Sequence, residues 1–387
     1  MEIRMITENE KREFFDLLWY CHPETKTWHE AEEKVFYHKE CFAGFEEGKI
    51  VAGMQIRTYK VNFHGKTVTM GGIEAVATAP EIRYQNKTAD FMRFAILYMK
   101  ENNIILSALN PFSYGFYRKY GWETTCERLN YEIEFPKLKQ FLTQEYTYEK
   151  LDLESFNEQE HLFNKFFSKY NGCVVYDERT FRRRVEIIHA FGYHIYSCQN
   201  TRKEPCGYIF YRISEGKFII QEMGFKDSKA QQALWGYVYR HNSSCEKVVA
   251  FLPPDDLTRK YMNEPRMSVK INSDMMYRII DFEKTLIYLS VDWTLSLSFI
   301  MKINDREAPW NEGVYEIKAE NGNITAVLSN REPDIEIGIE QLTQLMMGYL
   351  SIDELVDLGK VTVFNDKAIR TLDYLFRKSS PYIQERF

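Results

Sequence analysis

The sequence predicts a mixed α/β chain of α+β character: two mixed-sheet units in tandem, then a smaller α+β unit. Three observations lead to this reading. Residues 70–123, MGGIEAVATAPEIRYQNKTADFMRFAILYMKENNIILSALNPFSYGFYRKYGWE, run in the order strand, polar turn, helix, strand, short aromatic helix. Residues 205–254 repeat that order in pattern rather than identity, with Gly207 in the place of Gly53, a turn at Gly216 in the place of Gly65, and AFLPP in the place of SALNP. From Met275 the pattern changes to alternating strands, a hairpin and short helices. A chain of 387 residues is long for one core, since a domain holds roughly 100 to 200 residues. The expected units are 1–145, 146–272 and 273–387.

In chain order, the first unit opens with a helix over 8–18 and a polar segment containing Pro23. Residues 41–60, CFAGFEEGKIVAGMQIRTYK, alternate around Glu47-Gly48 and predict a hairpin. A second turn at His64-Gly65 leads into TVTMGGIEAVAT, so the segment as far as Thr78 reads as an antiparallel meander. Pro80 closes that strand, because proline cannot donate to a ladder. Past the turn Arg83-Tyr84-Gln85-Asn86-Lys87, the apolar positions Phe91, Met92, Ala95, Ile96 and Met99 fall at helical spacing. A strand over 104–109 completes the mixed sheet, and a strand over 130–135 is expected to return beside it. The order starts again near Tyr146; the turn of this second copy, Lys226-Asp227-Ser228-Lys229, has neither glycine nor arginine, which predicts a structural copy without a catalytic role. The third unit begins with MMYRIIDFEKTL. In it SLSFIMKIND and VYEIKAENGNITAVLS predict strands with a hairpin at Asn321-Gly322, and helices are expected over 339–350, 351–358 and 367–377.

Composition excludes several classes. A net charge of −6 offers no basic face for nucleic acid, and the short run FRRRVE at 181–186 is flanked by acids and reads as a solvated helix face. No window approaches the roughly 20 apolar residues that span a bilayer, and the opening MEIRMITENEKREFF has no apolar signal core, so a cytoplasmic protein is expected. The seven cysteines are scattered and never form a C-x-x-C pair, which suits reduced thiols. The histidines form no H-x-x-x-H pair, so no metal is expected.

A loop that ends on a helix start gathers unpaired backbone N–H groups and the positive end of the dipole, which suits a phosphate. The order strand, Pro80, polar turn, helix, strand, aromatic helix resembles the acyl-CoA site of the GNAT superfamily of N-acyltransferases. That family's turn carries R/Q-x-x-G-x-G/A; aligned with it are Arg83, Tyr84, Gln85, Asn86, Lys87 and Thr88, followed by Ala89. Arginine is kept and both small positions are replaced. Asn86 tolerates the left-handed conformation that glycine usually supplies, and Lys87 or the Thr88 hydroxyl could donate to phosphate. LNPFSYGFYRKYGWE, residues 109–123, resembles the family motif L-x-P-x-x-x-x-F-Y-x-[RK]-x-G-[FYW], kept at Pro111, Phe116, Tyr117, Gly121 and Trp122. The resemblance implies acetyl-CoA as co-substrate, held by the turn and by Asn110 and Ser113, with its carbonyl polarised by backbone N–H groups at Val76, Ala77 and Thr78. It implies Tyr117 as the acid that protonates the departing thiolate. On the residues alone, Tyr117 reads first as a packed aromatic beside Phe116, Tyr120 and Trp122.

Two GNAT-like units, MMYRIID opening a third, and a chain that stops on an aromatic residue as ERF together resemble the Eis (enhanced intracellular survival) acetyltransferases, over essentially the whole chain. That resemblance implies an active GNAT domain, an inactive one, and a domain of sterol-carrier-protein fold whose terminus reaches the first active site. It also implies that the α-carboxylate of Phe387, ionised at neutral pH with an unperturbed pKa of roughly 3.3 to 3.7, takes the proton from the amine, and that the protein is a homo-oligomer, a hexamer in that family. The family's acidic residue before the terminal aromatic is Arg386 here, with Glu385 one place earlier, which implies a less acidic amine pocket. Candidates for the acceptor side are Trp28, Glu30, Phe36, Glu74 and Glu385, with Glu32 and Glu33 nearby, although such charges usually form a solvated face and such aromatics a core. The expected reaction moves acetyl to a primary amine, whether an aminoglycoside, a polyamine or a lysine-like substrate. Two other readings are open: a binding or regulatory protein whose altered turn has lost coenzyme A, and a carrier of lipid or a small apolar ligand through the last domain.

Overall fold

Strand-forming runs, several of them broken by two-residue turns, build three mixed sheets in the computed structural model, which describes residues 1–82, 87–151, 160–294 and 296–386. β1 (Glu2–Met5), β2 (Cys41–Glu46), β3 (Lys49–Phe63), β4 (Lys66–Thr78), β5 (Leu106–Leu109) and β6 (Glu123–Thr124) belong to the first. The second holds β7 (Glu127–Glu134), β8 (Thr147–Lys150), β9 (His194–Gln199), β10 (Pro205–Ser214), β11 (Lys217–Phe225), β12 (Lys247–Leu252) and β13 (Ser268–Ser273). β14 (Met276–Ile279) returns to the first, and β15 (Ser296–Asn304), β16 (Gly313–Glu320), β17 (Asn323–Leu328), β18 (Ile335–Gly338) and β19 (Val361–Val363) form the third.

The meander expected as far as Thr78 is present. Glu47-Gly48 and His64-Gly65 both turn with left-handed pairs, φ 50° and 81° in one and 49° and 77° in the other, the geometry that lets a two-residue loop follow the strand twist. The helix Lys87–Glu101 buries Phe91, Met92, Ala95, Ile96 and Met99, as their spacing predicts, and crosses from β4 to the parallel β5. The helix Ser228–Tyr239 makes the same crossover from β11 to the parallel β12, so the repeat is one of topology. At the N-terminus the expected helix is Lys11–Cys21, preceded by β1 on the edge of the sheet, and the polar segment after Pro23 forms a further helix, Lys26–Lys34.

One strand lies elsewhere than expected. The run expected at 130–135 to close the first sheet is β7, and it pairs with β12 and β13 of the second. Its inward residues Tyr131 and Ile133 bury in the second unit's core, beside Trp235 and Val248. The place beside β5 is taken by β14, antiparallel, with Met276 opposite Leu109 and Ile279 opposite Leu106. All four β14 residues are buried, as befits an interior strand covered on both faces. The exchange also explains the motif glycine Gly121. At φ 86° it is left-handed, and a Cβ there would lie 1.5 Å from the Arg278 guanidinium, which β14 carries past it to Asp305 at 2.7 Å.

The units share a core. One apolar cluster runs through Tyr59 and Phe63 of the first, Phe163 and Tyr208 of the second, and Met301 and Leu345 of the third. The C-terminal segment lies along this seam: Tyr382 stacks on Phe167 with centroids 5.7 Å apart, and its N–H donates to the Asn171 carbonyl at 3.1 Å. None of the seven cysteines is in a disulfide, and among the described residues no helix is long and apolar enough to cross a membrane.

Candidate active site

The site begins with a bulge in β4. Gly53 pairs with Ala77 and Gln55 with Glu74, so Ala75 and Val76 together face Met54. Ala75 stands at φ 51°, an uncommon conformation for a residue with a Cβ and one that concentrates where backbone is shaped for function. The Ala79 N–H donates to the Val51 carbonyl at 2.9 Å. By the alternation of an antiparallel ladder, Ala77 also points its N–H at β3, while Val76 and Thr78 turn theirs away. β5 pairs with β4 only as far as Leu109 opposite Ile73. Beyond that point the strands part, and a cavity of about 410 Å³ opens beside the end of β4.

Ala75, Val76, Asn110, Phe112 and Tyr117 line this cavity from the first unit's sheet and the segment after β5. Tyr117 lies in the helix Tyr114–Arg118, whose start is capped by the Ser113 hydroxyl accepting from the Phe116 N–H at 3.4 Å. The rings of Phe112 and Phe116 meet Tyr117 edge-on, each with centroids 5.1 Å away. Only 2% of Tyr117 is exposed, and burial pushes its phenol above the usual tyrosine range, so it carries its proton at neutral pH.

Of the phosphate turn, Arg83, Tyr84, Gln85 and Asn86 lie outside the described residues. Lys87 places its Nζ 2.6 Å from Glu46, and the Thr88 hydroxyl lies 3.1 Å from that of Thr78, tying the helix start to the end of β4. Ala89 packs against the core under that helix. The second copy differs at the equivalent point: the helix Ser228–Tyr239 is capped by Asp227, which accepts from the Ala230 N–H at 2.9 Å. A carboxylate therefore already occupies the helix start where a phosphate would bind.

On the acceptor side the cavity receives Trp28 and His29 from the helix Lys26–Lys34, Phe191 from the second unit and Arg386 from the C-terminal segment. His22 joins them, with Nε2 3.1 Å from the Val76 carbonyl oxygen. Glu74 lines the cavity but is gripped from behind by Arg57 at 3.3 Å, by Arg183 at 2.8 Å and by the Tyr59 hydroxyl at 2.8 Å. Glu32 meets the same arginines at 2.6 and 2.7 Å. Glu40 takes Arg57 at 3.2 Å and Arg179 at 2.8 Å. Glu385 accepts from the Tyr176 hydroxyl at 2.8 Å and lies 3.5 Å from Arg184. Glu30 is exposed and pairs with Lys26, Glu33 reaches Lys11 at 4.0 Å, and Phe36 packs edge-on against Phe15 and lines a separate cavity with Arg179 and Arg183. Phe387 lies outside the described residues; Gln384, three residues earlier, is locked to Val174 by two hydrogen bonds of 2.9 and 2.8 Å. Ala75, His22, Phe112 and Phe191 are cavity residues that pattern reading did not single out; only Phe112 falls inside a motif.

Burial, helped by His22 nearby, lowers the pKa of His29 to about 4, against weaker opposing pulls from Glu32 and Glu24. The unfolded imidazole, near 6.5, therefore takes up a proton that the folded one refuses. Between about pH 6.5 and 4, stability should fall as pH falls. Thermal melts from pH 7 down to 5 should show that decline, and the His29→Gln variant should show less of it; an unchanged slope would exclude His29 as its source.

Three family models match the chain: an acetyltransferase (GNAT) domain over residues 2–125, a second acetyltransferase (GNAT) domain over 172–279, and a sterol carrier protein domain over 286–384. The chain belongs to the GNAT acetyltransferases. The second GNAT match ends at Ile279 and so takes in β14, the strand that hydrogen-bonds into the first sheet. An uncharacterized N-acetyltransferase of Streptomyces griseus is 22% identical to this GNAT acetyltransferase over 367 residues, 86% of this chain and 85% of its own. Among solved structures, a probable N-acyltransferase from Enterococcus faecalis V583 superposes with a TM-score of 0.90 at 24% identity, over 100% of this chain and 99% of its own. Eis1 from Mycobacterium abscessus superposes with a TM-score of 0.82 at 17% identity, over 100% of each chain. These structural likenesses are of fold, and the succession GNAT, GNAT, sterol carrier is the one that the Eis resemblance implies. GNAT acetyltransferases use acetyl-CoA as co-substrate.

Proposed function

We propose that the protein transfers acetyl from acetyl-CoA to a primary amine, in the cavity at the end of β4. The observation that carries this reading is the buried, protonated Tyr117 in the same cavity as the bulged end of β4. The residues present fit the co-substrate: alternation along the end of β4 turns the Val76 and Thr78 N–H groups away from β3, and a helix of 15 residues, Lys87–Glu101, starts beyond the strand. When bound, acetyl-CoA supplies an activated thioester. The Val76 and Thr78 N–H groups stabilise charge on the carbonyl oxygen, and the Tyr117 phenol gives its proton to the departing sulfur. The α-carboxylate of Phe387, in this reading, takes the proton lost by the amine nitrogen; the residues before it, Tyr382, Ile383, Gln384 and Glu385, are buried. In this reading the second GNAT domain, its helix start capped by Asp227, is structural.

The test is made at the C-terminus. The unaltered chain should acetylate an amine with acetyl-CoA as donor. A chain lengthened by one or two residues after Phe387 should keep its melting temperature and its stabilisation by acetyl-CoA, which is ~2.7 kcal/mol at a hundredfold excess over the dissociation constant, yet lose turnover. Full activity in the lengthened chain would exclude the terminal base. No stabilisation of the unaltered chain at millimolar acetyl-CoA would exclude the transferase reading.

A further inference from the structure

The walls of the cavity define a class of acceptor, an inference that rests on the transferase reading above. A polycation needs carboxylates that are not already engaged. Here Glu32 and Glu74 lie between Arg57 and Arg183, Glu40 between Arg57 and Arg179, and Glu385 beside Arg183 and Arg184. Among the described residues, Glu24, exposed at the rim, is the lining carboxylate outside that network.

The wall carries a cation as well. Arg386 shares Asp274 with Arg128, so among the described residues a single carboxylate serves these two guanidiniums. The Arg386 Nε is buried and finds no acceptor among the described residues. Apart from Asn110, the remaining wall is aromatic or apolar. Trp28 stands edge-on to His29 with centroids 4.9 Å apart, Phe112 is 69% exposed beside the cavity, and Phe191 adds a ring from the second domain. One ammonium can lie against such rings, but the second and third charges of a polycation would meet Arg386.

We propose that the acceptor is a monoamine with an aromatic or similarly bulky apolar body, an arylalkylamine in class, and that polycations are poor substrates. The test compares 2-phenylethylamine and tryptamine with spermidine and kanamycin on the full chain, by initial rates at saturating acetyl-CoA and by calorimetric binding of each amine. kcat/KM for the aryl amines should exceed that for either polycation by ~10-fold or more. Trp28→Ala should lower kcat/KM for tryptamine by ~10-fold, chiefly through KM. Equal or better use of spermidine or kanamycin overturns the inference and leaves the transferase reading standing. If none of the four is acetylated, stabilisation by acetyl-CoA judges the transferase reading and calorimetry decides the class. Binding of the aryl amines alone upholds it; tighter binding of the polycations, or no binding at all, overturns it.

Discussion

Replacing Tyr117 with phenylalanine should lower turnover by ~100-fold or more while leaving the affinity for acetyl-CoA unchanged. The ring makes the packing contacts with Phe112 and Phe116, and phenylalanine keeps that ring, so the cavity should hold its shape. Only the hydroxyl is lost, and with it the proton for the departing thiolate. Because burial holds the phenol above its usual range, the group should remain competent as an acid through neutral pH and beyond. Turnover and thermal stabilisation by acetyl-CoA, measured side by side, separate the two roles. Equal turnover in the variant would remove Tyr117 as the acid, and lost stabilisation would mark it as a binding residue.

Arg183→Met should be the costliest single change outside the cavity, at ~3–5 kcal/mol of stability. Arg183 is 3% exposed and faces Glu32 at 2.7 Å, Glu74 at 2.8 Å and Glu385 at 3.7 Å, besides donating to the Tyr59 hydroxyl at 2.8 Å. Removing it leaves buried carboxylates short of a counter-charge, which costs more than the pairs themselves contribute. The denaturation midpoint should drop accordingly. Adding Glu74→Gln should return part of the loss, because one of the stranded charges disappears, giving a coupling between the two sites well away from zero. Additive losses would mean that the arginine stabilises through packing rather than charge. Since Glu385 loses a neighbour as well, turnover should also fall at temperatures where the variant is still folded.

What could be read from the sequence was local. The helix Lys87–Glu101 announces itself by apolar spacing and the hairpins by Glu47-Gly48 and His64-Gly65, because period and turn chemistry act within a few residues. Partner choice is not local. NYEIEF alternates as a half-buried strand should, but nothing in it says which sheet it joins; MYRI says only that both of its faces are covered. The site divides the same way. Trp28, Glu74, Val76, Asn110 and Tyr117 meet at one cavity, and four of them belong to the stretch around the motif. Phe191 approaches from another domain, and its position at the end of the helix Glu178–Ala190 carries no signal. Glu30 and Phe36 share the segment of Trp28, but three-dimensional packing turns them to solvent and to Phe15.

The strand exchange has a consequence for synthesis. When Leu109 leaves the ribosome, its partner Met276 has yet to be made, and at ~5–20 residues per second that wait is on the order of ten seconds or more. For that interval β5 offers an unpaired edge to other nascent chains. Release of the first domain as a separate fragment would make the exposure permanent. The order of manufacture, as much as the final contacts, thus couples the first domain to a strand made after the second.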